Sequence, residues 1–166
     1  MGDSRAVMGK LIEKRWDYEM LSRGHKPSEI DEILRIKYKN GEIHPYINEE
    51  GKFSGKNRVW IKGQDIPGLS LTRAFGDLIG STVGIINKPQ IKFFNYEKEG
   101  KFIIIGSDGL WEYISCQEAV NIVGEFYQGN NLDSDSAVIK LFQIARNRWI
   151  ETQNCIDDIS IIILFL

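Results

Sequence analysis

Three acidic positions lie next to predicted buried strands, where their carboxylates could act together. Asp108 follows the apolar run 102–105, and Asp157 and Asp158 precede the apolar segment 159–166. If these two strands are antiparallel neighbours, the end of one lies beside the start of the other. We therefore expect Asp108 and either Asp157 or Asp158 at the same edge of a sheet. Asp3 would join them if the strand that follows it runs parallel to the last one.

Clustered carboxylates repel one another and are costly to desolvate, so such a group requires cations. A site with oxygen ligands alone favours Mg²⁺ or Mn²⁺, and Mg²⁺ keeps several waters. Two such ions about 3.5–4 Å apart can activate a water and clamp phosphoryl oxygens during an in-line displacement. The predicted chemistry is phosphomonoester hydrolysis without a covalent protein intermediate. The alternative, that these acids only form turns, stays open, because Ser-Asp-Gly is a common turn sequence.

Several segments have the spacing of helices. Residues 28–40 predict a helix capped by Ser28, with Ile30, Ile33, Leu34 and Tyr38 at helical spacing. The capping box Ser115–Glu118 predicts a helix from about 116 to 128. Apolar residues between Ala137 and Trp149 predict another amphipathic helix.

The strands and loops alternate with these helices. Residues 5–8 predict a short strand between turns at Gly2-Asp3-Ser4 and Gly9-Lys10, with an unpaired edge. The runs 102–105 and 159–166 predict buried strands. The polar stretch 48–67 predicts a long surface loop. The order of elements indicates a mixed α+β fold.

Composition narrows the class of protein. The 166 residues carry a net charge of -2 with 42% hydrophobic residues, which predicts one globular domain and no nucleic-acid partner. No apolar run approaches the roughly 20 residues that span a bilayer. The two cysteines, Cys116 and Cys155, form no CxxC pair, and only two histidines are present, which disfavours a disulfide scaffold or a zinc site. With no signal peptide or acylation motif evident, we expect a cytoplasmic or nuclear protein with no membrane partner.

The sequences of several separated stretches resemble motifs of the metal-dependent protein serine/threonine phosphatases of the PPM or type 2C family, particularly those of plant and protist members. These stretches occur in family order along the whole chain. They are Gly2-Asp3-Ser4-Arg5-Ala6-Val7, His25-Lys26-Pro27, Arg58-Val59-Trp60, the segment from Pro67 to Asp77 with its Thr-Arg-Ala-Phe-Gly-Asp ending, Ile104 to Glu112 with its Ser-Asp-Gly-Leu-Trp core, and Ile156-Asp157-Asp158-Ile159-Ser160.

The resemblance implies a fold, an activity and a set of ligands. The fold is an αββα sandwich of two antiparallel sheets flanked by helices, of which residues 1–166 would be the C-terminal part of a single phosphatase domain. The activity is hydrolysis of phosphoserine and phosphothreonine in proteins by a metal-activated water. Asp108 and Asp157 match ligands of the two core Mg²⁺ or Mn²⁺ ions, and Asp3 matches a ligand of a more weakly held third ion.

Departures from the family pattern qualify this expectation. Gly24 and Glu112 each stand where the family has Asp. The family's Asp-Gly-His-Gly segment, whose aspartate bridges both metals, has no counterpart in the chain. We therefore expect a partial sequence that is inactive or weakly active by itself. The alternatives are a catalytically inactive phosphatase-like binding module and, more remotely, another carboxylate-metal hydrolase.

Other residues carry open roles. Arg58 and Arg73 are candidates for contact with a phosphopeptide, against the simpler interpretation of ordinary loop arginines. Trp60, Trp111 and Trp149 are expected to pack rather than to bind a ligand. Cys116 is expected to be passive although it begins a helix. Asp77 is expected to order its loop.

Overall fold

The computed structural model describes residues 1–94, 100–128 and 132–166. The chain divides into two compact units, the first of Met1–Asp3 with Gly24–Ile91 and the second of Ser4–Arg23 with Lys92–Leu166. Each unit contains one antiparallel sheet and helices, which confirms the mixed fold with two antiparallel sheets. That residues 1–166 belong to a single domain stays a prediction.

In chain order the elements are β1 (Arg5–Ile12), β2 (Arg15–Met20), α1 (Ile30–Tyr38), β3 (Gly41–Ile47), β4 (Phe53–Ile61), β5 (Pro67–Leu69), α2 (Leu78–Ser81), β6 (Gly100–Gly106), α3 (Asp108–Trp111), α4 (Cys116–Gln128), α5 (Ser134–Gln153) and β7 (Ile161–Phe165). Within the described ranges, no helix combines the length and apolar character that crossing a bilayer requires.

The second unit is built on the sheet β2-β1-β6-β7, in which all neighbours are antiparallel. The predicted turn at Gly9-Lys10 is wrong, because Gly9 pairs with Tyr18 and Phe102 inside β1, and its missing side chain makes room for the Phe102 ring. The chain reverses instead at Glu13 and Lys14, both at positive φ. The predicted unpaired edge is also wrong, since β1 lies between β2 and β6.

Helices α4 and α5 pack on one face of this sheet. The predicted helix at 116–128 is confirmed, and the Glu118 backbone N–H donates to Ser115 Oγ at 3.2 Å, as a cap does. Full burial of the strand at 102–105 is wrong. Phe102 and Ile104 are buried, whereas Ile105 on the opposite face is 42% exposed. The side chains alternate because only one face of the described sheet carries helices.

The last strand shows the same alternation, so its predicted burial is wrong in part. Ile162 and Leu164 are 60% and 54% exposed, and they pair across the ladder with Ile105 and Ile103. Within the described part of the chain, the sheet therefore presents an apolar face of four side chains.

The first unit packs α1 against the three-stranded sheet β3-β4-β5. Helix α1 is capped by Glu29 without a side-chain hydrogen bond, so the predicted Ser28 cap is wrong. The helix itself is present at Ile30–Tyr38, but the residues at helical spacing are not its buried ones. Ile36 and Glu32 are buried, whereas Ile30, Leu34 and Tyr38 are 77%, 63% and 84% exposed. Close packing of Ile36 on Gly41 and an internal ion pair of Glu32 decide which side faces inward.

The predicted loop at 48–67 is wrong in part, because nine of its twenty residues form β4. Six of the nine residues of β4 pair with β3, and Val59 and Trp60 also pair with β5, although five of the nine are exposed. Backbone pairing with two neighbouring strands outweighs a polar, glycine-containing composition. Strands β3 and β4 form a hairpin whose β4 strand is largely exposed to solvent.

Candidate metal and substrate residues

Asp108 and Asp157 belong to the same corner of the second unit. Strand β6 ends at Gly106, which pairs with Ile161 at the start of β7. Asp108 lies two residues after that pair, as the first residue of α3, and Asp157 lies four residues before it. The predicted antiparallel pairing of these strands is therefore confirmed.

Hydrogen bonds join the two segments that carry these acids. Ser107 Oγ donates to the backbone oxygen of Asp158 at 3.0 Å and accepts from the backbone N–H of Ser160 at 3.0 Å. The backbone N–H of Ser107 donates to the oxygen of Ser160 at 3.1 Å. The Ser107 side chain thus joins the segment that leads into Asp108 to the segment that follows Asp157.

Two tryptophans hold α3 in place. Trp149 Nε1 donates to the oxygen of Gly109 at 2.7 Å, and Trp111 Nε1 donates to the oxygen of Gly106 at 2.9 Å. The ring of Trp149 also meets Tyr113 edge-on, with 4.8 Å between centroids. Trp111 is 6% exposed and Trp60 is 5% exposed, which confirms that these rings pack in the core.

The donor set at this corner has the chemistry that a hard divalent ion prefers. Asp108 is half-buried, and Asp157 is exposed and accepts from the backbone N–H of Asp158 at 2.8 Å. Carboxylate oxygens fit Mg²⁺ or Mn²⁺. In the described ranges, no three His, Cys, Asp or Glu side chains cluster as a metal site. That Asp108 and Asp157 share an ion at this corner stays a prediction, and water or other oxygen groups would have to complete its ligand set.

Asp3 belongs to the first unit. Its carboxylate lies 3.7 Å from Lys26 Nζ, next to the His25-Lys26-Pro27 turn. His25 is buried, its backbone N–H donates to the oxygen of Gly2 at 2.8 Å, and its oxygen accepts from the backbone N–H of Thr72 at 2.9 Å. Burial lowers the pKa of His25, and the charge of Arg73 acts in the same direction. The backbone hydrogen bonds of His25 join the segment that precedes β1 to Thr72.

The expected placement of Asp3 beside Asp108 and Asp157 requires that β1 run parallel to β7. Because β1 and β7 are both antiparallel to β6, they run parallel to one another. The role of Asp3 as a metal ligand stays a prediction.

The two candidate arginines have different surroundings. Arg58, on β4, is half-buried and donates from Nη1 to the oxygen of Gly68 at 2.6 Å. Arg73 is 9% exposed, forms an ion pair with Glu32 and donates to the oxygen of Lys88 at 3.0 Å. A substrate contact by Arg73 is therefore wrong, because its guanidinium is committed to the interior.

Glu32 is the main polar residue that sequence reasoning missed. It is fully buried and accepts from Thr72 Oγ1 at 2.5 Å, from Arg35 at 2.6 Å and from Arg73 Nε at 3.0 Å. Burial alone would raise the pKa of this carboxyl, but the hydrogen bonds from Arg35, Arg73 and Thr72 outweigh it and hold the pKa well below its usual range. The only local signal was the spacing of Glu32 and Arg35 on one helix face.

Cys116 and Asp77 have surroundings that are typical of structural residues. Burial raises the pKa of the Cys116 thiol, although the nearby Arg5 opposes the shift, and its Sγ lies 3.6 Å from Met20 Sδ. Asp77 takes a left-handed backbone conformation at φ 56° and is the N-cap residue that precedes α2. Neither residue has the surroundings of a reactive group.

Comparison with known proteins gives consistent matches. The family model described as "Protein phosphatase 2C" matches residues 1–149. The chain is 31% identical over 169 residues to a "Probable protein phosphatase 2C 61" of Arabidopsis thaliana, covering 100% of this chain and 49% of that protein. It is 32% identical over 171 residues to a "Probable protein phosphatase 2C 64" of Oryza sativa subsp. japonica, covering 100% of this chain and 38% of that protein.

Solved structures show the same fold. A crystal structure of a serine-threonine phosphatase 2C from Toxoplasma gondii superposes with a TM-score of 0.75 at 24% identity, covering 99% of this chain and 52% of the other. The chain thus spans about half the length of that structure and half or less of the two plant relatives.

Proposed function

Because the chain belongs to the protein phosphatase 2C family, we propose that it contributes to the hydrolysis of phosphoserine and phosphothreonine in proteins, with Mg²⁺ or Mn²⁺ as cofactor. The observation that carries this proposal is the set of hydrogen bonds from Ser107 to Asp158 and Ser160. These bonds tie together the segment that leads into Asp108 and the segment that follows Asp157. The substrates would be phosphoproteins.

Asp108 and Asp157 would hold the ion through their carboxylate oxygens, and Asp3 would hold a further, more weakly bound ion. A divalent ion in such a site supplies charge neutralisation at the phosphoryl oxygens and a lower pKa for bound water. Ser107 and Trp149 would help to position these carboxylates, since Ser107 donates to the backbone oxygen of Asp158 and Trp149 donates to the backbone oxygen of Gly109. We expect weak metal binding and slow turnover by this chain, because two carboxylates make an incomplete ligand set.

Metal binding can be tested without activity. Mn²⁺ affinity of the 166-residue chain is measured by electron paramagnetic resonance for the wild type, Asp108→Asn and Asp157→Asn. We expect each substitution to weaken binding by about tenfold or more, because the loss of a ligand costs at least as much as the loss of a residue that only orients one. Asp17→Asn, at an exposed position of β2, is the matched control and should bind as the wild type does. Equal affinities in all four proteins would contradict the assignment.

Activity is tested on a phosphothreonine peptide and on para-nitrophenyl phosphate, using the longest form of the protein that its gene encodes. Hydrolysis should require Mn²⁺ or Mg²⁺, and Asp108→Ala should abolish it while Asp17→Asn retains it. Hydrolysis that persists in Asp108→Ala, or that is indifferent to a chelator, would contradict the metal mechanism. Failure to hydrolyse either compound with saturating Mn²⁺ would contradict the proposed activity.

A further inference from the structure

Helix α3, which carries Asp108 at its first position, is too short to hold its own place. It has four residues, Asp108–Trp111, and within the described chain the Ser107 side chain does not cap its N-terminus. A single turn of helix is unstable by itself, because nucleation fixes several backbone dihedral angles for few hydrogen bonds. The location of Asp108 therefore depends on the contacts that other elements make with α3 and with the residues that follow it.

Helix α5 supplies two of these contacts from adjacent positions. Trp149 Nε1 donates to the oxygen of Gly109 at 2.7 Å, inside α3. Arg148 Nη1 donates to the oxygen of Tyr113 at 2.7 Å, just beyond the end of α3. The rings of Tyr113 and Trp149 also meet edge-on. The two side chains of α5 thus hold the segment 109–113 at both of its ends.

Glu118 fixes the orientation of the Arg148 guanidinium. Arg148 donates from Nη1 to Glu118 Oε2 at 2.8 Å and from Nη2 to Oε1 at 2.5 Å, so the pair is bidentate. Glu118 belongs to the first turn of α4. The hydrogen bonds from Arg148 lower the pKa of Glu118, although burial acts in the opposite direction. A guanidinium has five N–H donors in a planar fork, so Arg148 can hold Glu118 and the Tyr113 oxygen at the same time.

We propose that Arg148 is a positioning residue for the metal site. Through its bonds to Tyr113 and Glu118 it would hold the end of α3 against α4, and this would keep the Asp108 backbone where its carboxylate can bind an ion. The presence of that ion rests on the proposed function. The side chains of Arg148 and Glu118 are 37% and 35% exposed, and pairs this exposed contribute little to global stability. The main effect of the pair should therefore be local.

The first measurement follows α3 without any metal. Hydrogen–deuterium exchange with mass spectrometry compares the wild type, Arg148→Met and Arg146→Met. We expect faster exchange of the amides of residues 108–115 in Arg148→Met, with little change at 161–165, because the segment loses its bond to α5. Arg146→Met makes the same change at an exposed position of α5 and should exchange as the wild type does. Unchanged exchange in Arg148→Met would overturn the proposal.

The second measurement is the Mn²⁺ affinity of the same proteins by electron paramagnetic resonance. Arg148→Met should weaken binding about tenfold, the loss expected when a residue that orients a ligand is removed. Arg148→Lys should recover part of the affinity, because an ammonium keeps the charge and three donors but lacks the planar fork. Glu118→Gln removes the counter-charge and should weaken binding in the same direction. It keeps the test informative if Arg148→Met impairs folding.

A destabilised variant far from the site separates positioning from a general loss of structure. Phe165 pairs with Phe102 at the opposite end of the β6-β7 ladder from the Gly106–Ile161 pair. Phe165→Leu removes a packed ring and should lower the urea midpoint at least as much as Arg148→Met does, yet it should bind Mn²⁺ as the wild type does. Equal weakening of Mn²⁺ binding in these two variants would overturn the positioning role.

Asp108→Asn distinguishes failure of the positioning role from failure of the proposed function. If Asp108→Asn weakens Mn²⁺ binding and neither Arg148→Met nor Glu118→Gln does, the ion site stands and the positioning role of Arg148 is wrong. If Asp108→Asn binds Mn²⁺ as tightly as the wild type, the proposed ion site itself is wrong, and the role of Arg148 in it is lost with it.

Discussion

Gly109 lies against Asp158 so closely that a side chain at position 109 would overlap the backbone oxygen of Asp158. A Cβ at that position would also lie 3.1 Å from Ile159 Cγ1. This contact places the first turn of α3 directly on the segment that leads into β7. Asp108 lies between Ser107 and Gly109. The contacts of these two neighbours with the Asp158 backbone therefore fix the position of the Asp108 backbone.

Gly109→Ala tests this contact. The added methyl group cannot fit without moving α3 away from Asp158, so we expect a loss of about 1–3 kcal/mol in the free energy of unfolding. Weaker Mn²⁺ binding should accompany it if Asp108 and Asp157 share an ion. Urea unfolding and Mn²⁺ titration measure the two effects. Gly24→Ala is the control for the unfolding measurement alone, because its Cβ would meet its nearest atom, in Asp3, at an ordinary 3.4 Å. Equal stability of Gly109→Ala and the wild type would contradict the packing described.

Glu32→Gln should strongly destabilise the protein. The substitution leaves the buried guanidinium of Arg73 without its counter-charge, which costs about 3–5 kcal/mol when a buried pair is broken. Glu50→Gln is the matched control, because the side chains of Lys52 and Glu50 in that pair are 75% and 70% exposed and should contribute within about 0.5 kcal/mol. Urea unfolding at neutral pH compares them, and similar losses in the two variants would contradict the buried role of Glu32.

The lowered pKa of Glu32 predicts how the free energy of unfolding depends on pH. Its pKa is lower in the folded chain than the usual 4.5, so the unfolded chain binds the proton more readily. The stabilisation that ionised Glu32 contributes is complete at pH values above about 4.5. It is lost as the pH falls below that value towards the lower pKa of the folded chain. Unfolding followed by circular dichroism between about pH 6 and pH 3 should show a shallower loss in Glu32→Gln than in the wild type. Parallel curves for the two proteins would contradict this prediction.

Neighbouring isoleucines on β6 test which face of the sheet is packed. Ile104 is fully buried and Ile105 is 42% exposed. We expect Ile104→Ala to cost about 2–5 kcal/mol, because it leaves a cavity under α4 and α5, and Ile105→Ala to cost much less. Chemical unfolding measures both. A larger loss for Ile105→Ala would show that its face of the sheet is covered.

The two cysteines should differ in reactivity. Cys155 is exposed, whereas Cys116 is half-buried, and burial raises the pKa of its thiol. Iodoacetamide should therefore modify Cys155 first in the native chain, as mass spectrometry of the digested protein would report. In urea both thiols should react at similar rates. Faster native labelling of Cys116 would contradict its placement against Met20.

Features that depend on near neighbours along the chain were predictable from sequence. The helix at 116–128 begins and ends where its capping box and apolar spacing indicated, because a cap joins residues three positions apart. The neighbouring ends of β6 and β7 were predictable for a related reason. Two apolar runs that finish and start with aspartates bring those aspartates to one corner once the runs pair antiparallel.

The surroundings of each side chain required the tertiary structure. Helix α1 buries Glu32 and exposes Leu34, against its apolar pattern, because Arg73 and Thr72 lie opposite it about forty residues later in the chain. The same long-range pairing makes Arg73 an internal ion-pair partner, whereas Arg58 lines an open pocket. The helix at 116–128 could be predicted from the sequence because its cap joins nearby positions, whereas β4 could not, because its pairing with β3 and β5 is decided by the fold. The fold decided which charges are buried, because burial depends on partners that only the folded chain brings into contact.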